Sequence, residues 1–352
     1  MQEFSIHKLF NYPQKTQSLL RMLKGEMDTD YPISVEFSLT NECNFGCIWC
    51  SDALLRKNHR GSMRREVIYS TISDLAKGGT KGIVLEGGGE PVLHPLFKET
   101  IQFIKKNQMA AGLITNGSIF DYKEYVQDFE WIRVSLDVSN EEQMDSLKRK
   151  NYFSIVMKNI EDIGVACAQS NQTILGISYI VTNKNTEGLE EMVVRLKNLN
   201  ASYIQIKPVV DHKELSLPEE KYDFLYLKKY ETEDFKVYLE PLKENILENN
   251  NNLPCVAHSL STVIAANGHV YLCGRLNADP LWPPIGNVND ESFYDIWNGP
   301  KRREQMLQML NVEECKKRCP SCRMTKFNLA LDHIRSNQLN LKKIHTKTPN
   351  FI

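Results

Sequence analysis

From Asn41 to Cys50 the chain reads Asn-Glu-Cys-Asn-Phe-Gly-Cys-Ile-Trp-Cys, which sets the thiols of Cys43, Cys47 and Cys50 on one short loop. Thiolates are soft ligands, and three of them this close make a metal site. Gly46 permits a tight backbone approach, Thr40-Asn41-Glu42 supplies a polar turn before the first thiol, and Trp49 puts an aromatic just ahead of the last. A structural zinc site closes with four protein ligands, whereas a four-iron, four-sulfur cluster on three thiolates keeps one iron open. Taken alone, the triplet admits either metal.

The other thiols are grouped too. Of nine cysteines, Cys255, Cys273, Cys315, Cys319 and Cys322 form a second set, and only Cys167 stands apart, in a helical pattern where it reads as a small buried hydrophobe. The N-terminus lacks the pattern of a signal peptide, so a cytoplasmic protein is expected, in which grouped thiols are metal ligands rather than disulfides. A net charge of -1 gives no electrostatic case for nucleic acid or an anionic membrane. No apolar run reaches the ~18 residues that span a bilayer. The basic stretch Arg56, Lys57, Arg60, Arg64 and Arg65 reads as a solvated face.

The elements that must position these groups follow from periodicity. Strand patterns at 34–39, 82–85, 111–114, 131–138, 173–181 and 203–210 alternate with helical patterns at 67–77, 96–107, 153–169 and 186–198. Such alternation implies right-handed parallel crossovers, and six units are too few for a closed eight-unit barrel but fit an open, curved one. The carboxyl ends of the strands then carry the chemistry. The cysteine loop follows the first strand, Gly87-Gly88-Gly89-Glu90 the second, and Thr115-Asn116-Gly117 the third. On the fourth, Arg133, Ser135 and Asp137 share one face by the period of two. Tyr179, Gln205 and Lys207 point toward the same space, where a substrate could sit, a structural role being the alternative for each.

The Cys-x3-Cys-x2-Cys spacing, joined to Gly88-Gly89-Glu90 after the second strand, resembles the signature of the radical S-adenosylmethionine (radical SAM) enzymes. The resemblance implies an α/β fold, a partial (β/α)6 barrel, with a [4Fe-4S] cluster on Cys43, Cys47 and Cys50 whose open iron binds the amino and carboxylate groups of S-adenosyl-L-methionine. The residues around that cofactor would be Trp49, Gly88, Gly89, Glu90, Asn116, Ser135 and Asp137, with the Gly-Gly-Glu run at its amino group and Ser135 at its ribose or carboxylate. An electron from a flavodoxin- or ferredoxin-type donor would cleave the cofactor to a 5′-deoxyadenosyl radical.

Residues 212–254 are charged and Asn-rich and read as a connecting region. Beyond Cys255, the segment 261–273 has a hairpin pattern turning at Asn267-Gly268, and 292–310 is an amphipathic helical stretch broken at Gly299-Pro300. His258 and His269 read as groups at the surface or beside the ligands. With Cys315, Cys319 and Cys322 the order resembles the SPASM/twitch extension of radical SAM enzymes. That implies a small α+β domain over 255–330. Five thiols with none after Cys322 point to the twitch form, one auxiliary [4Fe-4S] cluster on Cys255, Cys273, Cys319 and Cys322, with Cys315 spare or exchanging with Cys319. A four-cysteine zinc ribbon competes with this. The division is then a lead-in (1–32), the barrel (33–211), the connecting region, the cluster domain, and a tail (331–352) that is solvated from Ser336 onward.

Three functions compete. The leading one is a radical SAM oxidoreductase, dehydrogenase or epimerase acting on a small polyol or sugar-like substrate, with the auxiliary cluster as electron acceptor. The alternative is a SPASM-type maturase of a ribosomally made precursor peptide, although a lead-in of 32 residues is short for the leader-binding domain such enzymes often carry. The third is a non-catalytic zinc-binding interaction protein.

Overall fold

A computed structural model describes residues 5–26, 28, 30–59, 61–170, 172–210, 212–240, 253–274, 282–318 (backbone only at 316–318) and 324–352. Among the described residues ten strands form one sheet: β1 (Ser34–Phe37), β2 (Gly82–Leu85), β3 (Ala110–Thr115), β4 (Phe129–Ser135), β5 (Ile174–Val181), β6 (Tyr203–Pro208), β7 (Lys236–Leu239), β8 (Ser261–Ile264), β9 (His269–Tyr271) and β10 (Gly286–Asn287). Their order is β10-β9-β8-β1-β2-β3-β4-β5-β6-β7. From β1 to β7 every neighbour is parallel, β8 joins the free side of β1 in parallel, and β9 and β10 follow antiparallel.

Alternation along the strands sorts their side chains between two faces. Val35, Phe37, Ile83, Leu85, Leu113, Ile132, Val134 and Ile177 are buried in the hydrophobic core. Helices Arg65–Lys77, Phe97–Lys106, Phe153–Ser170 and Leu189–Asn198 supply further apolar residues to the same core. The opposite residues, among them Glu36, Glu86, Arg133, Gln205 and Lys207, line a cavity of about 320 Å³. A parallel sheet covered on both faces is ordinarily apolar on both. Charge on the inner face therefore marks a space for a polar ligand.

Four features depart from the sequence-based expectation. The parallel strands number seven before the hairpin is counted, because β7 lies inside the stretch read as connecting. It is only four residues long and is set among Lys and Glu, so its periodicity is hidden. The hairpin is continuous with the barrel sheet through β1 and β8 rather than set apart from it. The tail does not stay in solvent: Thr348 and Phe351 are buried, Lys8 Nζ donates to Thr348 Oγ1 at 2.9 Å and to the Phe351 carbonyl at 3.0 Å, and the Phe351 ring meets Trp131 edge-on. Finally, the lead-in is tied to the C-terminal region. Lys15 Nζ pairs with Asp28 at 2.6 Å, Arg302 donates to the Asp28 carbonyl at 2.9 Å, and Trp297 Nε1 donates to the Asp30 carbonyl at 3.0 Å.

The break expected at Gly299-Pro300 is present, between helices Phe293–Asn298 and Pro300–Leu310. Proline at the first helical position lacks only an N–H that would have no partner there.

Candidate active site

The cysteine loop sits at the carboxyl end of β1 and is pinned from three sides. Gly46 N and Ile48 N donate to the carbonyls of Lys148 and Leu147 at 3.0 Å each, on the last turn of helix Glu141–Lys148. Arg56 Nη2 donates to the Phe45 carbonyl at 3.2 Å and Nη1 lies 3.9 Å from Cys50 Sγ. Asn116 Nδ2 donates to Asn44 Oδ1 at 2.8 Å and lies 3.9 Å from Cys43 Sγ. Arg56 therefore departs from the solvated basic face expected for 56–65. It folds back because helix Ala53–Asn58 follows the loop directly and turns its guanidinium onto the loop carbonyls.

These residues fit an iron–sulfur cluster. Burial pushes the Cys47 thiol up to about 11 and also raises Cys43, so neither ionises readily unless a bound metal displaces the proton. Among the described residues no three His, Cys, Asp or Glu converge closely enough for a single ion. The guanidinium of Arg56 and the amide of Asn116 beside the thiols suit the negative charge of a thiolate-bound cluster.

The glycine loop after β2 packs against the same segment. Gly89 N donates to the Thr40 carbonyl at 2.9 Å and Glu90 N to the Glu42 carbonyl at 2.7 Å. Gly88 adopts φ +57°, and a Cβ there would lie 2.2 Å from Asn41 Oδ1; one on Gly89 would lie 1.9 Å from the Glu42 carbonyl oxygen. Only glycine allows this approach. The Glu90 carboxylate is buried and engaged within the protein, accepting from Thr115 Oγ1 and from Asn116 N, each at 2.7 Å. Its side chain thus holds the β3 turn against the glycine loop.

Asp137, which the resemblance sets beside the cofactor, is engaged within the protein. At φ +55° its carboxylate turns back: Oδ2 pairs with Lys148 Nζ at 3.0 Å and Oδ1 accepts from Ile180 N at 2.8 Å. Lys148 also donates to the Ser135 carbonyl and lies 5.7 Å from the centre of the Phe45 ring. This buried lysine, missed in the sequence, braces the cysteine loop from below; a Lys closing a helix directly after a polar strand end was its only signal. Trp49 is buried in the core. Ser135 is half-buried at the end of β4.

Of the groups expected to face the substrate, Gln205 and Lys207 line the cavity. Tyr179 does not. It falls on the outer parity of β5, fully buried, with its hydroxyl 2.9 Å from Ser139 Oγ and donating to the Asn185 carbonyl at 2.8 Å.

In the C-terminal set, Cys255 is buried, and Asn328 clasps its segment: Nδ2 lies 3.4 Å from Cys255 Sγ while Oδ1 accepts from Val256 N at 3.0 Å and Ala257 N at 2.9 Å. Cys255 precedes β8, which runs with β1, and Cys273 follows β9, which runs back. Topology therefore sets both at the amino ends of the barrel strands, opposite the Cys43–Cys50 loop. Cys315 lies on helix Val312–Arg318, and Cys319 and Cys322 fall outside the described residues. The cavity between the two ends is lined by Met324, Lys326 and Phe327 as well as by the barrel strands. His258, read as a group at the surface or near the ligands, is fully buried, and burial followed by the charge of Arg302 lowers it to about 3.

Comparison with known proteins agrees with this geometry. Residues 37–196 match the radical SAM superfamily and residues 255–323 the SPASM iron–sulfur cluster-binding domain. The chain is 24% identical over 314 residues to the mycofactocin maturase MftC of Mycolicibacterium smegmatis, spanning 84% of this chain and 77% of that protein. It is 24% identical over 295 residues to the antilisterial bacteriocin subtilosin biosynthesis protein AlbA of Bacillus subtilis, spanning 78% and 62%. Streptococcus suis SuiB bound to its precursor peptide SuiA superposes with a TM-score of 0.64 at 13% identity, covering 97% of this chain and 78% of SuiB, and SuiB has also been solved with S-adenosylmethionine. The chain belongs to the radical SAM superfamily and carries a C-terminal SPASM domain, domains that bind [4Fe-4S] clusters and S-adenosylmethionine.

Proposed function

We propose that this enzyme is a maturase that modifies a precursor peptide, in preference to an oxidoreductase of small polyols. The observation that carries the reading is the charged cavity of about 320 Å³ running from the Cys43–Cys50 end of the barrel to the segment after Cys322. Its volume suits a side chain presented by a longer molecule. Relatives named as maturing or bound to peptides, MftC and SuiB among them, support the same choice.

Cys43, Cys47 and Cys50 would hold the cluster that binds S-adenosylmethionine, and Cys255, Cys273, Cys319 and Cys322 an auxiliary one. Bound there, the first cluster and its cofactor supply a 5′-deoxyadenosyl radical able to remove a hydrogen atom from an unactivated C–H bond. The chain's own residues do the positioning. Gly88 and Gly89 bring backbone against the cofactor space, Arg56 and Asn116 hold the thiol loop, and Trp131, Tyr203 and Phe351 close the cavity floor with aromatic surface that excludes water.

Incubation of the anaerobically reconstituted protein with S-adenosylmethionine, a reductant and candidate precursor peptides, followed by peptide mass spectrometry, tests the proposal. Modified peptide formed together with 5′-deoxyadenosine is the expected result. Modification of a polyol with every peptide left unchanged would replace the reading.

A further inference from the structure

Helix Ala53–Asn58 carries Arg56, half-buried, back against the cysteine loop that precedes it. The guanidinium spans that loop from its first thiol to its last. Nη2 donates to the Cys43 carbonyl at 3.4 Å and to the Phe45 carbonyl at 3.2 Å, and Nη1 is directed at Cys50 Sγ from 3.9 Å. Because a guanidinium is planar and rigid, the carbonyls that anchor one nitrogen also fix where the other stands. The two carbonyl bonds suffice to pin the loop; the donor on the sulfur is not needed for that.

The neighbouring groups differ from it. Asn116 Nδ2 lies equally far from Cys43 Sγ, but that amide is neutral. Lys148, the other cation against the loop, is paired with Asp137 at 3.0 Å and donates to the Ser135 carbonyl. Asp52 interacts with Arg56 electrostatically, so what singles Arg56 out is the placement of its donors and not an uncompensated charge.

Reduction adds one negative charge to a thiolate-bound cluster, and hydrogen bonds to the sulfurs together with nearby charge set the potential at which it happens. A charge-assisted N–H donor on a sulfur stabilises the more negative, reduced state more than the oxidised one, which raises that potential.

We propose that Arg56 sets the reduction potential of the cluster on Cys43, Cys47 and Cys50 by donating to the Cys50 sulfur. One electron passes from a low-potential one-electron reductant, which is oxidised, to the cluster, and no covalent bond changes in that step. This role rests on the three thiols holding the cluster and is independent of what the substrate is.

The test uses the anaerobically reconstituted holoenzyme, produced with isotopically labelled arginine nitrogen and reduced with dithionite. The cluster on the cysteine loop is identified by the electron paramagnetic resonance signal that responds to added S-adenosylmethionine. Pulsed measurement on that signal is expected to show coupling to the labelled nitrogen, and Arg56→Lys is expected to lose it. A responsive signal without the coupling overturns the role whether or not any variant folds. Coupling that survives in Arg56→Lys belongs to another arginine and overturns it as well. Absence of any responsive signal would sink the cluster assignment and this role with it. Redox titration of the same signal reads the consequence: Arg56→Gln should disfavour reduction by at least about tenfold, a fall of ~59 mV for one electron, with Arg56→Lys lying between. An Arg56→Gln enzyme that assembles its cluster with an unchanged potential contradicts the proposal, since pinning of the loop alone leaves the potential where it is.

Discussion

The carboxylate of Glu90 accepts a hydrogen bond from the backbone amide of Asn116 at 2.7 Å, joining the loop after β2 to the turn after β3. The same Asn116 reaches Asn44 in the cysteine loop at 2.8 Å, so one buried acid organises two of the three walls of the cofactor space. Burial raises Glu90 to about 7 against the hydrogen bonds from Thr115, Asn116 and Val92 that favour its charge. The folded protein thus keeps a proton that the unfolded chain, titrating near 4.5, has released. Between these values the folded state binds more protons, so this group's contribution to stability is full below about 4.5 and is lost as pH rises through about 7. Glu90→Gln should remove that pH dependence and, by setting an amide N–H₂ near donors, cost about 1–3 kcal/mol. Urea unfolding of the metal-free protein at several pH values measures both.

His258 carries the opposite dependence. It stays neutral when folded, at about 3, while the unfolded chain takes up a proton below about 6.5. The unfolded state binds more protons in that window, so stability falls as pH falls from about 6.5 toward 3. His258→Gln should flatten the acid side of the stability profile, as read by thermal unfolding across that range.

The pair of Lys148 and Asp137 is buried on both sides. Removing one partner of such a pair leaves an uncompensated charge and costs about 3–5 kcal/mol. Lys148→Met should destabilise the protein by that order, and Asp137→Asn added to it should recover part of the loss. Equal destabilisation by the single and double variants in chemical denaturation would show that the pairing itself is not what matters.

Gly89→Ala places a Cβ where the Glu42 carbonyl oxygen stands, 1.9 Å away. The glycine loop must then shift away from the segment that carries the thiols. The holoenzyme variant should lose S-adenosylmethionine binding by at least about tenfold in equilibrium titration, which is ~1.4 kcal/mol. Undiminished binding would remove the loop from the cofactor site.

Much of this site was legible because spacing encodes it. The three thiols, the glycine loop and the strand alternation repeat local patterns, and β2 lies at the residues expected, Gly82–Leu85. What the sequence hid depends on long-range partners. Lys148 acts through Asp137 and the thiol loop, Phe351 finds its place under Trp131 from the far end of the chain, and Asn328 reaches back to Cys255. Tyr179 lies on the face away from the cavity, since period-two alternation identifies pairs of faces without saying which one is inside. β7 was missed because four residues among charges leave almost no periodicity to see.

On the maturase reading, one thiol loop starts a radical reaction on a peptide and the distant C-terminal thiols are needed to complete it. Quantifying 5′-deoxyadenosine and modified peptide in parallel for Cys43→Ala and Cys255→Ala, each reconstituted anaerobically, tests this most directly. Cys43→Ala should abolish both products, whereas Cys255→Ala should still form 5′-deoxyadenosine while losing the modified peptide. Cofactor cleavage retained by Cys43→Ala, or full peptide modification by Cys255→Ala, would contradict it.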